Sequence, residues 1–305
     1  MKSINKEINV PLFMDNKPLI SFILVLVSLV WAGSFIVVKT ATEEITPIDL
    51  GFLRFLVATP IMFLILLLRR KDKYIPVKEL PSLIILGLTG VTLLYLFQFV
   101  GINYTNASTA AVLINTNVIF IAILSIVFLK ETLSKKRISG ISLSFLGVVV
   151  IILSNMPQEN FTLNNIFFIG SILILLSALC WAIYSIVGKR LLKKYDAFAI
   201  TTYAFGLGTL FYIPFVVPDI APTIQKISLN GWMAILYLAI VCSVFGYIGW
   251  YYALKKTEAS KAAVFLNLIP LFAIVMSFFL GEKITGFFLL GAILIIYGVY
   301  LTQKS

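Results

Sequence analysis

Four stretches of the chain place large aromatic rings beside small or polar residues at helical spacing. Trp31, Ser34, Phe35 and Val38 fall at i, i+3, i+4 and i+7, so they share one face of a helix. Trp181, Tyr184, Ser185 and Gly188 repeat that spacing. Tyr247, Trp250 and Tyr251 make a third stripe, and Tyr95 with Gln98 a fourth. Faces of this kind, turned toward one another, make an apolar cup with a few hydrogen-bonding tips. That is the common lining of a small-molecule pocket. Each ring taken alone reads equally as helix packing or as a membrane-interface anchor.

Other polar groups lie deep in apolar runs. Asn115 and Asn267 are amides that need partners, whether a neighbouring helix, water or a bound solute. Asn117 sits about 200° round the helix from Asn115, so one of the two is expected to face the centre. Arg54 is the one cation well inside an apolar run. It can hold a carboxylate of a bound solute, pair with an acid such as Asp49, or reach outward to the headgroups. Lys39, Lys189, Glu131 and Glu282 fall at the edges of apolar runs. Lys39 with Glu282, and Lys189 with Glu131, are candidate ion pairs closing the two ends of a pathway. The simpler alternative is that each lysine caps the C-terminus of its own helix, where the dipole favours a cation.

The elements that must position these residues are membrane helices. Sixty per cent of the 305 residues are hydrophobic and 12% are charged. Mean hydropathy is +1.04. Lipid can cover that much apolar surface where water cannot. Ten runs approach the roughly 20 residues needed to cross the hydrocarbon layer. They lie near 19–38, 48–68, 82–100, 108–129, 138–153, 166–187, 197–217, 232–254, 262–280 and 286–302. The runs are too long for barrel strands, so the fold class is an all-α integral membrane protein. The first run is too long for a signal-peptide core and stays as an uncleaved helix.

The net charge of +11 does not mark a nucleic-acid binder, because the cations sit in short gaps between apolar runs. Of the 24 Lys and Arg, 20 lie in the N-terminal segment, the even-numbered gaps and the C-terminus, against three in the odd-numbered gaps. Positive charge stays inside, so both termini are expected in the cytoplasm, with the protein in the cell membrane.

The chain also repeats itself after about 150 residues. Trp31-Ala32 returns as Trp181-Ala182 and Lys39 as Lys189. Ala107-Ser108 returns as Ala259-Ser260, Asn115 as Asn267, and Phe120 as Phe272. Glu131 returns as Glu282, and Gly140 and Gly147 as Gly291 and Gly298. The organisation expected is a cytoplasmic segment, 1–18, followed by two five-helix repeats, 19–154 and 166–302. An odd helix count inverts the second repeat in the membrane, a construction used by transporters.

These residues resemble those of the EamA-type drug/metabolite transporters. The resemblance rests on Trp-Ala-x-Ser-Phe followed by Lys39, on Arg54-Phe55, and on Ala259-Ser260 through Pro270 to Gly281-Glu282 with Gly291 and Gly298. The first half carries a looser version, from Ala107-Ser108 to Lys130-Glu131-Thr132 with Gly140 and Gly147. It covers residues 19–302. It implies ten helices in two inverted halves and export of amino acids or similar small metabolites. Two departures stand out. Asn117-Val118 replaces the proline matching Pro270, so the fourth helix should bend less than the ninth. Arg54 has no basic counterpart near Thr201–Ala204.

Chemistry that is absent narrows the function further. The sequence has no histidine, and Cys180 and Cys242 lie in apolar runs as small hydrophobes. No metal site or cofactor is expected. No acid sits mid-span, so export driven by protons through a membrane carboxylate is disfavoured. A nucleotide-sugar or sugar-phosphate exchanger would need more cations facing the cavity. A membrane-embedded enzyme would need clustered catalytic groups at one depth, and none is visible. The expected partners are a small-molecule substrate and the lipid bilayer; a homodimer is compatible with the sequence.

Overall fold

The computed structural model describes residues 17–69, 74–104, 107–154, 165–216, 220–279 and 286–305. All regular structure among them is helical. Helix α1 is Lys17–Ala41 and α2 is Pro47–Leu68. Helix α3 spans Val77–Tyr104, and α4 comprises Ala107–Asn115 and Asn117–Leu129. Helices α5, Lys135–Ser154, and α6, Asn165–Leu191, follow. Helix α7 is Ala197–Tyr212, and a short helix, Ile220–Lys226, precedes α8 at Leu229–Lys256. Helix α9 runs in three parts from Ala259 to Phe279, and α10 is Gly286–Gln303. Eight of these, α1 to α4 and α6 to α9, are long and apolar enough to cross a bilayer. Helix α10 is apolar but shorter over Phe287–Gln303, and α5 opens on Lys135, Lys136 and Arg137.

The sequence sets the helix starts locally. Thr46 caps α2 by accepting from the Asp49 amide at 3.2 Å, with Pro47 in the first turn, where no amide partner is lost. Asp196 caps α7 through the Phe198 amide at 3.1 Å, and Ser228 caps α8 through the Gly231 amide at 3.1 Å. Lys130 ends α4 in the left-handed region at φ 58°, turning the chain toward α5.

Two features depart from uniform helices. Helix α3 loosens into a π turn at Leu88–Thr92, and α8 does so at Tyr237–Phe245. These segments correspond in the sequence repeat. Helix α4, expected to bend less than α9, is interrupted too. It breaks at Thr116, whose hydroxyl donates to the Leu113 carbonyl at 2.6 Å while the Asn115 amide donates to Ala111 at 2.7 Å. Side chains that bond back onto their own helix do here what proline does elsewhere. The α9 interruption is longer, a 3₁₀ stretch at Val264–Asn267 before Pro270.

Helices α5 and α10 pack backbone to backbone. A Cβ on Gly140 would stand 2.7 Å from the Gly298 carbonyl, and one on Gly147 would stand 2.7 Å from the Gly291 carbonyl. Small residues permit that approach, as in other membrane helix pairs. The larger core lies among α2, α3, α6, α7, α8 and α9, where Phe55, Tyr184, Phe205, Tyr247 and Trp250 are fully buried.

Candidate functional site

The stripes on α1, α3, α6 and α8 converge. Trp31 and Trp181, equivalent in the repeat, meet edge to face with centroids 5.2 Å apart. Trp250 lies 5.7 Å from Trp181 and 6.2 Å from Trp31. Tyr184 stacks on Trp181 at 5.4 Å and on Tyr251 at 4.8 Å. Tyr247 stands edge-on to Trp31, Trp181 and Tyr184. Phe55 and Phe205 extend the cluster from α2 and α7. Edge-to-face and offset pairs of this kind add about 0.5–1.5 kcal/mol each beyond the area they bury.

The polar tips are aimed, mostly at backbone. The Trp31 indole donates to the Cys242 carbonyl at 3.0 Å, and the Tyr247 hydroxyl donates to the Gly90 carbonyl at 2.8 Å. Cys242 and Gly90 lie in the two π turns, whose pattern frees carbonyls from the usual ladder. The hydroxyls of Tyr95 and Tyr247 lie 3.2 Å apart. Trp250 donates to Ser185 at 3.2 Å, and Tyr251 donates to the Tyr184 carbonyl at 3.1 Å. The buried Tyr184 hydroxyl makes no hydrogen bond to a described residue.

Arg54 lies at the edge of this cluster, 4% exposed. Its Nε and Nη2 both donate to the Ser243 hydroxyl, at 3.0 and 2.9 Å, and Ser243 in turn donates to the Leu238 carbonyl at 2.9 Å. The guanidinium carbon lies 4.7 Å from the Tyr95 ring and 5.1 Å from the Phe55 ring. Pairing with Asp49 does not occur. That carboxylate takes the Thr46 hydroxyl at 2.8 Å and the position of an N-terminal helix acid. The hydroxyl that matches Ser243 in the first half, Thr92, donates to the Gly208 carbonyl of the second half at 2.8 Å and meets no cation among the described residues.

A second constellation joins α4, α6, α8 and α9. Lys189 Nζ lies 3.8 Å from Glu131. Both carboxylate oxygens of Glu131 receive the start of α9: the Ala259 amide at 2.6 Å, the Ser260 amide at 3.2 Å and the Ser260 hydroxyl at 2.9 Å. An acid at a helix N-terminus satisfies orphan amides and the dipole together. Lys189 caps a C-terminus, but not that of its own helix. It donates to the Leu254 and Thr257 carbonyls at the end of α8. Arg137 binds Ser260 at 3.2 Å and Glu258 at 2.6 Å. An open basin of about 580 Å³ lies over this knot, lined by Arg137, Lys189, Lys255, Lys256, Lys261 and Glu258 among others.

The remaining candidates scatter. Ser34 donates to the Trp31 carbonyl within its own helix at 2.6 Å. Gln98 is half-buried on α3, one turn beyond Tyr95. Asn267 donates to Ser144 at 2.7 Å and Asn115 to Ala111, so both amides serve helix contacts. Asn117 is buried as well, so the choice between Asn115 and Asn117 does not separate a buried face from an open one. Lys39 is exposed in the last turn of α1, and Glu282 lies outside the described residues, as does any Lys39–Glu282 pair. Ser243, Phe205 and the carbonyls of Gly90 and Cys242 are not singled out by sequence, and Phe55 enters there only through the Arg54-Phe55 motif of the resemblance. The signal for Ser243 was its match to Thr92 in the repeat.

Comparison with known proteins follows the same outline. The model of the EamA-like transporter family matches residues 19–153 and again 168–303. A protein of Archaeoglobus fulgidus named an uncharacterized transporter is 40% identical over 93% of this chain and 96% of its own length. A protein of Salmonella typhimurium named a probable amino-acid metabolite efflux pump is 27% identical over 92% of this chain and 93% of its own. A crystal structure with 17% identity superposes with a TM-score of 0.78, covering 94% of this chain and 97% of that one, and so shares the fold.

Proposed function

This chain belongs to the EamA-like transporter family, and we propose on that basis that it exports amino acids or similar small organic metabolites across the cell membrane. The observation that carries this reading is the convergence of Trp31, Trp181, Tyr184, Tyr247 and Trp250 from helices of both halves on one centre. A ring-lined centre with sparse polar tips suits a small, partly apolar solute. The name of the Salmonella relative supports the same cargo class.

The mechanism is alternating access between two inverted five-helix repeats, with α5 and α10 completing ten spans and both termini in the cytoplasm. Three pairs of repeat-equivalent residues that touch each other support the symmetry. They are Trp31 with Trp181, Tyr95 with Tyr247, and Thr59 with Thr209, whose hydroxyls lie 2.9 Å apart. Contacts between equivalent positions are what a two-fold axis produces. The glycine seam agrees, because exchanging the halves converts the Gly140–Gly298 contact into Gly291–Gly147. The Lys189–Glu131 knot is the closed gate on the cytoplasmic side, and Lys39 with Glu282 its counterpart outside. Trp31, Ser34, Tyr95, Gln98, Trp181, Tyr184, Tyr247, Trp250 and Tyr251 line the path between them, with Asn115 and Asn267 holding the broken helices. A nucleotide-sugar exchanger is disfavoured, because among the described residues Arg54 is the one cation placed against the aromatic centre.

Efflux from cells preloaded with a panel of labelled amino acids, with and without the protein, tests the assignment. Faster loss of a subset is expected, abolished by Trp31→Ala. Equal efflux of every solute in both strains would remove the amino-acid assignment.

A further inference from the structure

We propose that Arg54 is the anion-recognition group of the transport site and that the transported solute carries a carboxylate. The inference rests on the transport reading above and narrows its substrate class. A guanidinium cannot lose its proton in a protein, so Arg54 stays charged wherever it is placed. Taking that charge out of water without a counter-charge is costly, and a buried cation normally faces an acid. Among the described residues Arg54 makes no ion pair, and its hydrogen-bond partner is the neutral Ser243 hydroxyl. Asp49, on the same helix, accepts from Thr46 through Oδ2 and makes no ion pair with Arg54, while its buried Oδ1 has no hydrogen-bond partner among the described residues.

The geometry leaves a vacant donor. Nε and Nη2 are tied to one oxygen, which fixes the plane of the group, while Nη1 makes no hydrogen bond to a described residue. The Tyr95 and Phe55 rings, their centroids 5.4 Å apart, both lie to one side of the guanidinium carbon and keep its position without neutralising it. Tyr95 also reaches Tyr247, one ring from Trp31, so the cation adjoins the aromatic centre directly. A solute with a small apolar or aromatic body and one carboxylate satisfies both parts. Its body lies against the rings while its anion supplies the missing counter-charge. The same fixed charge repels organic cations, with little solvent screening at that depth. At the equivalent place Thr92 of the first half meets the Gly208 carbonyl of the second and no cation among the described residues, so one carboxylate is accommodated per protein.

The probe is labelled benzoate, a ring with a carboxylate and nothing else, measured by scintillation proximity on the protein in nanodiscs. Unlabelled benzamide and benzylamine compete. Wild type is expected to bind benzoate saturably, with benzamide weaker by about tenfold to a hundredfold, the worth of one charge-assisted contact, and benzylamine without effect. Arg54→Gln is expected to erase the preference, and Arg54→Lys to keep part of it. Absent saturable benzoate binding, equal competition by benzamide in wild type, or an unchanged preference in Arg54→Gln each overturns the proposal. Should Arg54→Gln fail to fold, the wild-type comparison decides alone. If benzoate binds through Arg54 while no amino acid is exported, the cargo is another carboxylate. If amino acids are exported and benzamide rivals benzoate, the export reading stands without Arg54.

Discussion

The two halves of this transporter meet in two ways. Along α5 and α10 they meet backbone on backbone, with glycine carbonyls filling the space where a Cβ would stand. Around Trp31 and Trp181 they meet ring on ring, through side chains with several edge-to-face partners. A backbone seam has no slack, because nothing in it can rotate away. A cluster of rings such as Trp31 and Tyr247, each tied to a π-turn carbonyl by one hydrogen bond, has room to repack where a backbone seam has none. On the proposed alternating-access mechanism the seam is the fixed part and the centre the moving part, an assignment that substitution can break.

The largest effect is expected at the seam. Gly140→Leu forces atoms against the Gly298 carbonyl and the Thr302 hydroxyl, 2.7 and 2.4 Å from the first added carbon. A loss of about 3 kcal/mol or more follows from overpacking with no room to yield. It is read as loss of monodisperse protein and a lower unfolding temperature in detergent. Flux that persists in a stably folded Gly140→Leu protein would contradict a rigid seam. Next comes Trp31→Phe, which keeps a ring and removes the bond to Cys242. About 1 kcal/mol of stability is expected to go, while efflux falls by roughly tenfold. Similar losses in both readouts would make the centre as structural as the seam.

Glu131→Gln sharpens the comparison at the closed end. The amide keeps one acceptor for the α9 amides and leaves Lys189 without its carboxylate. Hydrogen exchange at Ala259 and Ser260 is expected to quicken by about tenfold, a loss near 1.4 kcal/mol in local opening. The smallest effect belongs to Tyr95→Phe. Tyr247 retains its bond to Gly90, so the cost stays below about 1 kcal/mol in thermal unfolding.

How much of this was legible in the sequence depended on contrast. Trp31 and Trp181 stood out because they recur at one place in the repeat, and Trp250 because it joins Tyr247 and Tyr251 in a stripe at helical spacing; the structure brings all three together. Phe55 and Phe205 join the same cluster, but neither falls in a stripe of rings at helical spacing, and Phe55 was visible only as the neighbour of Arg54. Ser243 was hidden for another reason. It lies in a π turn, where a face computed at 3.6 residues per turn points the wrong way. The Asn115 break in α4 escaped because proline was taken as the marker of a kink, and a side chain bonding back to Ala111 leaves no such mark. The family and the helical class were readable throughout, since both depend on many residues.

The clustering of indoles also governs how the molecule handles light. Of four tryptophans, Trp31, Trp181 and Trp250 lie within 6.2 Å of one another. Excitation of any one passes to the others before emission, so the three act as a single fluorophore. Trp232, on α8, packs with Trp31 against the smaller apolar core of Ile235 and Leu238 but makes no ring contact with the three among the described residues. A solute bound at the proposed centre is therefore expected to alter the emission of all three rings at once.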